Sequence, residues 1–235
     1  MISEDIIFFD IETLPTINPA IIAAVEADVS PPGQIKKAES IAKWWAEDGP
    51  EAKAEAVRKT SLDGGTGRLA SLAWCWGSGT IFGGHTAVDG AHSVDQERKL
   101  LSGFFAELEC FHAEHRVPPT LIGHNICGFD IRWLWKRSIV LGIRPPAWWP
   151  VDSRPWDRDR VQDTMVLWEG AKGRISQDRL ARTLGLGGKG AIDGSKVADA
   201  WEEGRHEEIR EYCVDDVRTV RRIWCRIVGE DAPVE

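Results

Sequence analysis

Three short acidic stretches hold the residues best suited to chemistry. The first, Ile6–Leu14, reads I-I-F-F-D-I-E-T-L, so Asp10 and Glu12 follow directly on four apolar residues. Such a β-branched and aromatic run predicts a central strand buried on both faces. Side chains alternate along a strand, which puts Asp10 and Glu12 on one face about 7 Å apart. Two carboxylates at the end of a buried strand repel each other and resist desolvation. A divalent cation would offset both costs. Read alone, the pair serves equally well as a strand end that caps the next segment.

The second stretch is Asn125-Ile126-Cys127-Gly128-Phe129-Asp130, at the expected exit of one strand and start of a helix. Ligand sites of open α/β sheets gather at such junctions. Asp130 is there either a site residue or a helix cap, and Asn125 either a site residue or a turn residue. The third stretch, Glu211 to Asp216, contains the only tyrosine of the chain. Tyr212 and Asp216 are four residues apart and share one helical face. Val220, Ile223 and Trp224 turn that face toward the core, where a carboxylate needs a partner or a metal. Asp215 points elsewhere and reads as solvated.

These positions require a scaffold, and hydrophobic periodicity supplies one. The chain predicts strands over 68–76, 80–84, 120–123 and 161–167 besides the first. Helices are expected over 93–112, 129–141, 176–184, 195–203 and 207–228. Gly142, with Pro145-Pro146 behind it, closes the second of these. Residues 15–66 read as a helical insertion and not a separate domain. They carry a short helix within 20–29 and two polar helices over 36–47 and 51–60, interrupted at Gly49-Pro50. The Trp44-Trp45 pair is expected to pack down onto the body. Antiparallel strands followed by alternating strands and helices imply a mixed α/β sheet covered by helices, within a single domain over 1–235.

At 235 residues, 43% hydrophobic and 28% charged, the chain fits one large globular domain. A net charge of -8 argues against a protein that coats nucleic acid through a diffuse basic surface. It is compatible with a nucleic-acid enzyme whose acidic cluster holds cations and whose rim is locally basic. Five cysteines without a C-x-x-C pair suit inert core thiols better than disulfides or structural zinc. The apolar run near the N-terminus is too short for a signal peptide, and no stretch approaches the roughly 18 apolar residues of a membrane span. The expectation is a cytoplasmic protein with no membrane partner.

Several residues invite a bolder reading than their setting supports. Asp163 reads first as a turn or cap residue. Arg68, Lys189 and Lys196 flank loops near the acids and read first as surface charge. The Arg154–Arg160 loop also contains Asp157 and Asp159, with Asp152 just before it, so it is no basic patch. Trp148-Trp149 reads as packing rather than as a platform for bases.

Taken in order, F-D-I-E-T, N-x-x-x-F-D and Y-x-x-x-D resemble the three exonuclease motifs of the DEDD superfamily. The tyrosine marks the DEDDy subclass, similar to the proofreading domains of family-B DNA polymerases. No histidine stands four residues before a motif aspartate, as the histidine subclass would have. The helical insertion and the segment Ile192-Asp193-Gly194-Ser195-Lys196-Val197 look like the stand-alone exonucleases of phages and prophages. The resemblance spans roughly Ile6 to Val228. It implies a ribonuclease H-like α/β fold, with a mixed five-stranded sheet flanked by helices.

It further implies a 3′–5′ exonuclease that removes nucleoside 5′-monophosphates from DNA, at single-stranded or frayed 3′ ends. By that resemblance Asp10, Glu12, Asp130 and Asp216 hold two divalent ions and Tyr212 positions the attacking water. Thr13 and Leu14 meet the 3′-terminal nucleotide, Leu14 as a wedge against its base. Asn125 and Phe129 hold the next nucleotide or the strand near the scissile phosphate. Two ions about 4 Å apart suit phosphodiester hydrolysis, and an all-oxygen ligand set favours Mg²⁺ or Mn²⁺ over Zn²⁺. Replication or repair proteins are conceivable partners. Two alternatives stay open. One is an exoribonuclease of the same superfamily; the other is a non-catalytic module that binds nucleic-acid ends or a replication protein.

Overall fold

The computed structural model describes residues 2–154, 157–187 and 194–233. Strand β1 (Ile6–Leu14) is followed by helices α1 (Pro19–Ala27), α2 (Ala38–Glu47) and α3 (Gly49–Arg58). Strands β2 (Arg68–Trp76), β3 (Phe82–His85), β4 (Ala87–Val88) and β5 (Ala91–His92) come next, then the long helix α4 (Val94–His115). The second half runs β6 (Thr120–Gly123), α5 (Asp130–Leu141), β7 (Val161–Asp163), α6 (Thr164–Glu169), α7 (Gln177–Thr183), α8 (Val197–Glu202) and α9 (His206–Val228).

The main sheet has the order β3-β2-β1-β6-β7, so β1 is central. It pairs antiparallel with β2 and parallel with β6, and β6 pairs parallel with β7. The sheet is mixed, with helices on both faces. Alternation along β1 sorts its side chains between two cores. Ile7, Phe9 and Ile11 join Leu101 and Phe104 of α4 and Trp133 and Leu134 of α5. Phe8, on the other face, packs with Val217, Val220 and Trp224 of α9, its ring edge-on to Trp224 at 5.6 Å. Asp10 and Glu12 have the parity of Phe8 and therefore face α9.

A buried ion pair fastens the first core. Glu97 on α4 accepts from Arg137 Nε of α5 at 2.7 Å and from the Leu69 backbone amide of β2 at 2.8 Å. Such a pair is costly to break from one side, because the other charge would stay buried.

The β1–β2 register shifts between Glu12 and Thr13. Glu12 lies opposite Ser71 and Thr13 opposite Leu69, leaving Ala70 as an extra residue of β2. The Ala70 carbonyl is taken by the Thr86 backbone amide at 2.9 Å, so this bulge is hydrogen-bonded rather than frayed.

Most expected elements form within a few residues of their expected ends. Four expectations change. The strand expected over 161–167 stops at Asp163, because the Asp163 carboxylate caps α6 by accepting from the Met165 and Val166 amides. The helix expected over 195–203 divides into a 3₁₀ turn, Gly194–Lys196, and α8. Trp44 and Trp45 do not reach the body: α2 has no buried residue, the two rings meet each other at 5.0 Å, and Trp45 lies against Gly49 of α3. Cys110 is exposed and Cys127 half-buried, whereas Cys75, Cys213 and Cys225 are core residues; none of the five is in a disulfide. The small β4–β5 ribbon has no sequence expectation, since two-residue strands carry too little periodicity to read. No helix among the described residues is long and apolar enough to cross a membrane.

Candidate active site

Asp10, Glu12 and Asp216 each offer a carboxylate oxygen such that all three atoms lie within 4.8 Å of one another. Two come from alternate positions of β1 and the third from the buried face of α9, so the site exists only once α9 has docked on the sheet. All three side chains are buried. Three carboxylates converging out of water are unfavourable without a cation. The donor set is purely oxygen, which fits a hard divalent ion such as Mg²⁺ or Mn²⁺ better than zinc. Cys213 is close by but serves the scaffold. Its thiol donates to the Asp10 carbonyl at 3.3 Å, and burial, then Asp10 and Glu12, push it well above the usual thiol range.

Asp130 opens α5 and lines the same cavity, of about 530 Å³, as those three acids. It does not cap the helix, since Phe129 occupies the cap position without a side-chain bond. Burial raises the Asp130 carboxyl above the usual range, with Asp163 and Asp216 adding to the rise, against bonds from its own and the Ile11 backbone amides. Its oxygens fall outside the tight group of three.

The loop that delivers Asp130 is organised by Asp163. One Asp163 oxygen accepts from Asn125 N at 2.8 Å and the other from Cys127 N at 3.1 Å, while the residue also caps α6. The expected structural role of Asp163 therefore holds and is larger than a cap. Asn125 takes φ +63°, which asparagine tolerates better than most residues. Gly128 admits the Asn125 side chain, because a Cβ there would sit 2.6 Å from Asn125 Oδ1. The Cys127 thiol in this loop is pushed up to about 12 by burial and by Asp163, so it is a poor nucleophile.

Tyr212 lies one turn before Asp216, as the spacing requires. It is buried among Leu14, Ala70 and Ile209. Burial, then the Asp216, Glu12 and Asp10 carboxylates, push its phenol far above the ordinary tyrosine value, so it stays protonated.

The remaining expected residues divide between two cavities. Asn125 and Phe129 line the acid cavity. Thr13 instead opens on a separate cavity of about 300 Å³, walled by Arg58, Lys59, Ser61 and Leu62 on one side and Ser195 on the other. Leu14, with 1% exposure, packs in the core. Arg68 is spent on structure, donating from Nε to the Pro15 carbonyl at 2.7 Å. Lys196 is exposed, and Lys189, Ile192 and Asp193 lie outside the described residues. Trp149 packs in the core and donates to the Ile131 carbonyl at 3.0 Å.

Sequence reasoning missed Gln177 and His124. Gln177, at the start of α7, donates from Nε2 to Asp216 Oδ1. His124 bridges, through Nδ1 and Nε2, the Thr164 hydroxyl and the Ile175 carbonyl at 2.9 Å each. Both side chains line the acid cavity. A lone Gln and a lone His on ordinary segments give no spacing signal.

An α/β domain whose central strand and last helix converge three carboxylates on an open cleft defines a candidate metal-dependent enzyme. Residues 85–232 match the family model described as "Predicted 3'-5' exonuclease related to the exonuclease domain of PolB". The chain belongs to that family. The matched span contains Asn125, Asp130, Tyr212 and Asp216 and begins after Asp10 and Glu12. The fold is also similar to the solved structure of the family B DNA polymerase from the hyperthermophilic archaeon Pyrobaculum calidifontis. That likeness has a TM-score of 0.56 at 19% identity and covers 95% of this chain. The chain spans only 24% of that polymerase's length. A comparison with curated proteins finds no match.

Proposed function

We propose that the protein is a metal-dependent 3′–5′ exonuclease of the tyrosine (DEDDy) subclass, with a ribonuclease H-like fold, resembling the stand-alone enzymes of phages and prophages. Its substrate is DNA with a single-stranded or frayed 3′ end, and its products are nucleoside 5′-monophosphates. Residues 1–235 act as one exonuclease domain, and the helices between β1 and β2 are an insertion that walls the cavity beside Thr13.

The observation that carries this reading is the convergence of Asp10, Glu12 and Asp216 beside Asp130 and Tyr212. In this reading Asp10, Glu12, Asp216 and Asp130 hold two divalent ions. Bound there, the ions would supply the positive charge that activates water and offsets charge on the reacting phosphate. The other roles fall to the chain itself. The protonated Tyr212 hydroxyl orients the attacking water by a hydrogen bond and leaves proton removal to other groups. Thr13 and its cavity take the 3′-terminal nucleotide. Asn125 and Phe129 hold the nucleotide on the 5′ side. Leu14 supports Thr13 from the core.

The test is a time course on end-labelled single-stranded DNA, duplex DNA and RNA, with and without Mg²⁺ or Mn²⁺. Stepwise shortening of 5′-labelled single-stranded DNA, dependent on metal and stopped by a 3′-terminal block, is the expected result. Endonucleolytic fragments, preference for RNA, or digestion in excess chelator would each overturn the corresponding part of the reading.

A further inference from the structure

The acid cavity has one wall of opposite sign. Arg174 and Arg179 line it together with Asn125 and Phe129. Among the described residues neither guanidinium meets a carboxylate. Arg182 on the same helix does, with Asp178, and so do Arg205 and Arg210 along α9, with Glu208 and Glu207. Arg174 and Arg179 are both exposed and both line the acid cavity.

Their platform is fixed at three points. His124 holds the Ile175 carbonyl at 2.9 Å. The Ser176 hydroxyl caps α7 by accepting from Arg179 N. Gln177 is buried and bonded to Asp216. The backbone that carries the two exposed arginines is thus tied directly to the carboxylate floor. Exposed guanidiniums on a rigid rim match phosphate oxygens in planar, forked geometry. A protein of net charge -8 needs such a local cationic rim to receive a polyanion.

The two cavities give the strand a direction. Thr13 opens on one cavity, whereas Asn125, Phe129 and the two arginines share the other. With the 3′ nucleotide beside Thr13, the strand 5′ of the reacting phosphate runs along the arginine wall. We propose that Arg174 and Arg179 hold the two phosphates immediately 5′ of the scissile one. They thereby make the enzyme select a polynucleotide chain over a terminal nucleotide ester. This assignment rests on the exonuclease reading of the site.

The experiment compares two single-stranded oligonucleotides, one natural and one with neutral methylphosphonates at the two linkages 5′ of the scissile phosphate. Both arginines are exposed, so Arg174→Ala, Arg179→Ala and the double variant should stay folded; thermal melts check this. On the natural strand each single substitution should raise KM about ten-fold and the double about a hundred-fold, with a much smaller effect on kcat. The neutral strand should cost the unmodified enzyme a similar factor and cost the double variant nothing further. A double variant that still discriminates against the neutral linkages overturns the proposal, and so does one whose KM on the natural strand is unchanged.

Should the unmodified protein degrade neither strand, the exonuclease reading fails, and equilibrium binding of the same strands decides the arginines separately. Two lost phosphate contacts would lower the slope of log affinity against log salt by about 1.4. An equal slope in the double variant rejects the assignment.

Discussion

The side-chain amide of Gln177 donates both to Asp216 Oδ1, at 3.0 Å, and to the Asp216 backbone carbonyl, at 3.1 Å. One buried amide therefore fixes the carboxylate and the helical turn that carries it. A buried hydrogen bond to a charged acceptor contributes about 1.5–3 kcal/mol. Gln177→Leu keeps the volume and removes the donor, so Asp216 should lose its fixed orientation. The expected result is a Mn²⁺ half-saturation raised about ten-fold, read by calorimetric titration. Unchanged metal affinity would show that the clamp has no bearing on the site.

Removing a carboxylate of the converging trio should cost far more. Asp10→Ala or Asp216→Ala should fold and yet lose several orders of magnitude in nuclease rate. Near-normal turnover by a folded Asp216→Ala protein, verified by circular dichroism, would sink the metal assignment.

The metal-free site is strained, and pH should reveal it. Burial raises the Asp130 carboxyl above its ordinary range, so the folded state holds a proton that the unfolded chain has released. Stability of the metal-free protein should therefore fall as pH rises from about 4, the unfolded carboxylate value, up through the raised folded value. Asp130→Asn should flatten the decline. Saturating Mn²⁺ should raise Tm where equal ionic strength as Na⁺ does not. Coincident melting curves for Asp130→Asn and the parent protein in chelator, across pH 4 to 8, would contradict this.

Tyr212 should separate from the metals. Tyr212→Phe removes the hydroxyl and keeps the ring packed against Leu14 and Ile209. The rate should fall by about ten- to a thousand-fold, with Mn²⁺-induced stabilisation retained. Because the phenol sits far above its usual value, the parent protein's pH–rate profile should show no tyrosine ionisation below about pH 10, the free-tyrosine value. A Phe variant as inactive as Asp216→Ala, or deaf to Mn²⁺, would make Tyr212 structural.

The placement of Asp10, Glu12, Tyr212 and Asp216 could be read from sequence because each sits on a periodic element. The parity of β1 puts Asp10 beside Glu12, and the four-residue step of α9 puts Tyr212 beside Asp216. Asp163 could be read as a cap, though not as the anchor of Asn125 and Cys127, because that contact joins residues 38 and 36 positions apart. Gln177 stayed hidden for the same reason, at 39 positions from Asp216. The burial of Leu14 was likewise not legible. Its motif position suggested contact with substrate, but α8 and α9 close over it. The Trp44-Trp45 pair misled because two large apolar rings can satisfy each other on a peripheral helix.

The extra residue in β2 has a consequence for how such a site can change. Ala70 falls opposite the step from Glu12 to Thr13, so β2 is divided into two reading frames while β1 keeps one. The unbroken alternation of β1 keeps Asp10, Glu12 and Leu14 on the α9 face. Thr13, of the opposite parity, borders a cavity lined by residues from outside the sheet. Substitutions around that cavity can remodel what the strand end accommodates without rotating either acid. The extra residue thus lets β2 change course beside the acids while β1 holds both of them in register.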